Sequence, residues 1–126
     1  MDSDSDLPAD LRAFLYSCID SVDQVDLLIR LRHSQAARTV RQLSAVSGLA
    51  TAAVRTHLET LVVRGLLRAD VAEEVGYRYA PESPELRRFA DLLETCYSKQ
   101  RDQVVRAISA RAARTFADAF KFKKEP

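Results

Sequence analysis

The chain is predicted to be mainly α with a small β-hairpin, a fold class that three observations support. Its 126 residues include only three Gly and four Pro, a balance that favours helices. Apolar residues recur at spacings of three and four along most of the chain. One stretch, 66–80, alternates instead around Ala72-Glu73-Glu74-Val75-Gly76, the pattern of two strands and their connection. With 47% apolar residues the chain can build a real core, and its length suits one domain or one domain with arms.

Residues 1–6 form an acidic tail expected to be disordered. A first helix is expected over 7–20, with Asp6 as its cap, Pro8 in its first turn, and Leu11, Phe14, Leu15, Cys18 and Ile19 at helical spacing. Asp20-Ser21 interrupts it. Ser21 and Gln24 have capping-box spacing for a second helix, Val22 to about Arg32, whose stripe is Val22, Val25, Leu28, Ile29 and Arg32. A loop over 33–36 follows, and Ala37-Arg38-Thr39 can add a third strand to the hairpin.

Val40–Ser47 is a short amphipathic helix with Val40, Leu43 and Val46 on one face. Gly48-Leu49-Ala50 breaks it, since Gly accepts the left-handed backbone of a sharp helix end. Thr51 then offers a capping hydroxyl to a helix running to about Arg64, with Val54, Leu58, Leu61 and Val62 along its inner side. Gly65 stops that helix, and strands over 66–71 and 77–80 follow. Two helices joined by a Gly-containing turn are a helix-turn-helix signature, and the hairpin after them is a wing. From about Val22 to Leu93 these residues resemble the winged helix-turn-helix of MarR/ArsR-like bacterial transcriptional regulators. The resemblance implies a winged core over 21–82, flanked by the N-terminal helix and a long C-terminal helix.

That last helix starts at Ser83-Pro84-Glu85, with a cap, a Pro in the first position and an acid in the first turn. Within the segment 83–110 it is expected to run from Pro84 to about Ile108, and about 25 residues span about 37 Å, more than a small winged domain covers. Leu86, Phe89, Leu93, Tyr97, Val104 and Ile108 lie along its stripe and form the expected seam of a homodimer. The alternative is that the helix folds back on the first one. The remaining arm, 111–126, holds Phe116, Phe120 and Phe122 beside three Lys, an aromatic anchor with a basic tail that suits docking on the core, on a partner protein or on nucleic acid.

Charge is segregated behind a net +1. Residues 1–37 and 69–98 each carry seven acids against three bases, whereas 38–68 carry five Arg against Glu59 alone and 99–126 carry eight bases against three acids. No phosphate loop, nucleophile motif or metal-ligand spacing is present, so no catalytic residue, metal or cofactor is expected. Cys18 and Cys96 lie far apart without neighbouring ligands and read as small structural hydrophobes. His33 reads as a solvent residue at a helix end, and His57 as either a DNA contact or simply exposed. The chain shows neither a membrane-length apolar run nor a leader's basic and apolar regions, which points to the cytoplasm.

The resemblance places the helix from Thr51 in the DNA major groove. The outward positions of that helix are Thr51, Ala52, Ala53, Arg55, Thr56, Glu59 and Thr60, and its N-terminal residues lie toward base edges. Arg55 suits guanine, while Thr56 and the Ala methyl groups suit thymine. Arg38, Arg41, Arg64 and Arg68 suit phosphates, which supply most of the affinity, and Arg78 lies on the returning strand. Glu73 and Glu74 depart from the pattern, because regulators of this type commonly carry a base at the wing tip and these acids repel phosphate. The leading expectation is a dimeric, sequence-specific transcriptional regulator on double-stranded DNA. The others are a winged-helix adaptor that binds protein and not DNA, and a ligand- or redox-responsive sensor.

Overall fold

Two glycines with left-handed backbone mark the ends of the central helices. Gly48 (φ 79°) donates its N–H to Ser44 at 3.0 Å and closes the first, while Gly65 (φ 84°) follows the second. The computed structural model describes residues 7–110. Their order is α1 (Ala9–Cys18), α2 (Val22–Arg32), β1 (Arg38–Thr39), α3 (Val40–Ser47), α4 (Thr51–Val63), β2 (Leu67–Asp70), β3 (Gly76–Tyr79), α5 (Pro84–Lys99) and α6 (101–110). The fold is a winged helix-turn-helix, mainly helical with one small antiparallel sheet.

The chain divides into two compact units. One spans Asp23–Asp91, and among the described residues the other comprises 7–22 and 92–110. In the winged unit the strands lie in the order β1-β3-β2, all antiparallel, with Arg38 opposite Tyr77 and Arg68 opposite Arg78. The short third strand expected at Arg38–Thr39 is therefore present. Thr39 ends it and caps α3 at once. Its hydroxyl accepts from Gln42 N–H at 3.1 Å, while Gln42 Oε1 accepts from Thr39 N–H at 2.9 Å.

The core of this unit takes Val54, Leu58 and Leu61 from α4, and Val25, Leu28 and Leu43 from the helices before it. Burial of α2 is wider than its expected stripe, since Leu27 and Leu31 are fully buried and Ile29 only half-buried. Gln24 is buried as well, and its amide nitrogen donates to His57 Nδ1 at 3.2 Å. A buried amide needs such a partner, which gives His57 a structural contact instead of a purely surface place. Val46, grouped by spacing with Leu43, is 60% exposed, because an eight-residue helix buries little more than one row.

Thr51 does not cap α4. The helix begins one residue earlier, with Ala50 as the capping residue and its carbonyl accepting from Val54 N–H at 3.0 Å. Likewise α1 is capped by Pro8 without a side-chain bond, and Asp6 lies outside the described residues.

A side chain at Gly65 would also crowd the ends of two neighbouring side chains. A Cβ there meets Glu82 Oε1 at 2.9 Å and Leu86 Cδ1 at 3.3 Å. Gly65→Ala is expected to lose about 1–2 kcal/mol for the left-handed backbone alone, with crowding added, and chemical denaturation measures it.

The C-terminal helix is not continuous. It stops at Lys99, and a new helix starts after Gln100. Gln100 serves both, because its N–H completes α5 on the Cys96 carbonyl while its own carbonyl accepts from Val104 N–H at 3.2 Å and its side chain donates to Gln103 Oε1 at 3.0 Å. The break leaves no straight seam of the expected length. Within the single chain Leu93 and Val104 are 0% exposed and Ile108 2%, so they have no surface left for a second copy. Leu86, Phe89 and Tyr97 are half-buried and do. These burials, and the grouping of 7–22 with 92–110, match the fold-back alternative. Burial raises the Cys96 thiol pKa above its ordinary value, as suits a structural cysteine. Phe116, Phe120 and Phe122 lie outside the described residues.

Candidate nucleic-acid interface

The helical period splits α4 cleanly. Val54, Leu58 and Leu61 are buried, Val62, expected beside them, is only half-buried, and Thr51, Ala52, Arg55, Thr56 and Glu59 are exposed. Ala53 and Thr60, between the two faces, are half-buried. The missing cap bond leaves the Thr51 hydroxyl available. That of Thr56 instead bonds back to the Ala52 carbonyl at 3.1 Å, which leaves its methyl as the more useful outward group.

A groove of about 500 Å³ runs between α3, the first turns of α4 and the wing, with Arg41, Thr51, Arg55, Glu59, Glu74 and Tyr77 on its walls. Its charges are mixed. One nitrogen of Arg41, Nη2, donates to both carboxylate oxygens of Glu74, at 3.0 and 2.9 Å. Both side chains stay mostly in water, at 77% and 55% exposed, so the pair is worth about 0–1 kcal/mol and a phosphate can displace it. The wing-tip acid therefore has a nearer target than DNA, namely the chain's own Arg41.

Other expected phosphate contacts also have internal partners. Arg68 and Arg78 face each other across β2 and β3, a repulsive placement that Asp70 relieves at 3.8 and 3.2 Å. Arg38 donates from Nε to Ser34 Oγ at 2.9 Å and lines a separate cleft of about 540 Å³ with Ile29, Leu43 and Val46. Arg64 is half-buried just past α4. Among the described residues Arg55 and Glu59 form no ion pair or hydrogen bond. Both act on Tyr77, whose phenol is pushed above its ordinary pKa by burial and by Glu59, while Arg55 opposes the shift.

The geometry thus brings Arg41, Thr51 and Arg55 together and leaves Arg38 elsewhere. Glu59, an outward position of the helix, and Glu74, at the wing tip, join the groove, as does Tyr77, which had no expected role there. The period from Arg55 to Glu59 makes that acid legible, whereas the reach of Glu74 to Arg41 is a tertiary contact with no local signal. Tyr79 is a second such case. The guanidinium groups of Arg32 and Arg87 lie 5.4 and 5.9 Å from its ring centroid, and Arg32 also pairs with Asp91. Burial raises the Tyr79 phenol pKa, against the pull of Arg32.

Among the described residues no three His, Cys, Asp or Glu side chains group as metal ligands, and no helix is long and apolar enough to cross a membrane.

Residues 25–71, spanning α2 to β2, match the family of the IclR helix-turn-helix domain. No curated protein matches the chain. Among solved structures it is similar to an ArsR-like transcriptional regulator from Rhodococcus sp. RHA1, with 20% identity, a TM-score of 0.49, and coverage of 93% of this chain and 96% of that one. The helix-turn-helix match supports a DNA-binding transcriptional regulator.

Proposed function

We propose that this winged helix-turn-helix chain regulates transcription by binding double-stranded DNA, with α4 in the major groove and Arg55 reading a base there. One observation carries the reading. Of the arginines in the charged segment 38–68, Arg55 stands on the exposed face of α4 with its five donors uncommitted among the described residues. A guanidinium fork held by a rigid helix suits guanine O6 and N7. Arg41 joins as a phosphate contact by exchanging Glu74 for DNA. A homodimer places two such helices on half-sites about one helical turn of DNA apart, and Leu86, Phe89 and Tyr97 are the seam members with surface to give.

Duplex binding measured by fluorescence anisotropy over a range of salt concentrations tests this. Arg55→Ala is expected to cost about 1–3 kcal/mol, chiefly on the preferred sequence. Arg41→Ala weakens all sequences alike and flattens the salt slope by about one unit. Glu74→Gln strengthens binding to any duplex. Affinity in the micromolar range that ignores salt, or no affinity at all, would overturn the proposal in favour of a protein-binding module.

A further inference from the structure

Glu59 sits one helical turn beyond Arg55 on the same exposed face, where a carboxylate faces the phosphates that the groove is expected to meet. The other acid of this groove, Glu74, has its charge answered by Arg41. Glu59 has no such partner among the described residues. Arg55 does not supply one, and an acid placed after its base along a helix is the weaker order for such a pair. The acid therefore gains on DNA only where it meets a hydrogen-bond donor.

The major groove presents two kinds of donor, the N4 amino group of cytosine and the N6 amino group of adenine. Adenine sets the N7 acceptor beside its donor, and a carboxylate, which only accepts, is repelled there. Cytosine sets no acceptor next to N4 on the same base. From these constraints we infer that Glu59 is a second base reader, accepting from cytosine N4 while Arg55 takes guanine, so that the pair restricts the preferred duplex to a G·C-containing core. Four residues of helix advance about 6 Å, and bases stack about 3.4 Å apart, so the two positions lie within about two base-pair steps. This rests on the DNA-binding proposal above and adds to it the identity of the bases read.

The full chain is first used to select its preferred sequence from short randomised duplexes. Each guanine of that sequence is then replaced by 7-deazaguanine and each cytosine by N4-methylcytosine, which remove the N7 acceptor and the exposed N4 hydrogen. For the unsubstituted protein, N4-methylcytosine at one position should weaken binding by about 5- to 150-fold, and 7-deazaguanine nearby should do likewise. Glu59→Ala should become indifferent to N4-methylcytosine while remaining sensitive to 7-deazaguanine. Glu59→Gln should change the preferred base at that position from cytosine to adenine, which a carboxamide can bond at both N6 and N7. Glu59 is exposed, so circular dichroism should show both variants folded. Glu59→Ala that binds every duplex more tightly and keeps its sensitivity to N4-methylcytosine would show only a repulsive surface charge and overturn the inference, with DNA binding intact. Failure of the unsubstituted protein to select any duplex would overturn the underlying proposal itself.

Discussion

Leu93→Asp is expected to unfold the unit that holds it, not to separate two subunits. Leu93 is 0% exposed in the single chain, so the new carboxylate has no water to face. An unpaired charge in such a place costs several kcal/mol, a large share of the 5–15 kcal/mol that stabilises a typical domain. A fall in melting temperature of more than about 10 °C follows at neutral pH. Burial raises the pKa of the introduced acid in the folded state. The loss is therefore full well above the unfolded aspartate value of about 3.9 and shrinks as the solution is acidified towards it. Thermal melts followed by circular dichroism at two pH values measure both effects. Leu86→Asp, at a half-buried position, should cost much less. If sedimentation showed Leu93→Asp to be a folded monomer with an unchanged melting temperature, beside a dimeric parent, Leu93 would return to the subunit seam.

Leu58→Ala should be among the most damaging single truncations on the inner face of α4. The side chain is 0% exposed, and deleting it removes transfer energy and leaves a cavity, together about 2–5 kcal/mol. Arg55→Ala, on the other face of the same helix, should change stability by no more than about 0.5 kcal/mol. The pair separates holding the helix from using it. Below its own melting transition Leu58→Ala should keep duplex binding, whereas Arg55→Ala should weaken it by about 1–3 kcal/mol on the preferred sequence while fully folded. Urea unfolding and anisotropy on the same two preparations decide the matter, and a Leu58→Ala protein with unchanged stability would contradict the packing described for α4.

Where local chemistry decides the backbone, the fold was legible in the sequence. Gly48 and Gly65 marked helix ends, and the spacing of Val54, Leu58 and Leu61 marked the inner face of α4. What escaped depends on distant partners. The break at Gln100 has no Pro or Gly to announce it, and the apolar spacing runs through it unchanged. Thr39 with Gln42 closes the capping box that its spacing predicts, whereas the contact of the buried Gln24 amide with His57, a residue 33 positions away, has no local signal. At the candidate site the exposed face of α4 was readable from its period. The internal pairing of Arg41, Arg68 and Arg78 was not, since charge counting cannot tell a free base from one already answered.

Thr39 carries a consequence for how the winged unit comes apart. It is the last residue of β1, opposite Gly76, and also the residue whose side chain and backbone close the first turn of α3. The cap bonds run between Thr39 and Gln42 themselves, so an opening of the sheet that reorients Thr39 also costs α3 its cap, worth about 1 kcal/mol beyond the strand pairing. Sheet and helix are thus joined through a single residue without an intervening linker. The edge of the sheet at β1 and the first turn of α3 are therefore coupled through the backbone conformation of Thr39.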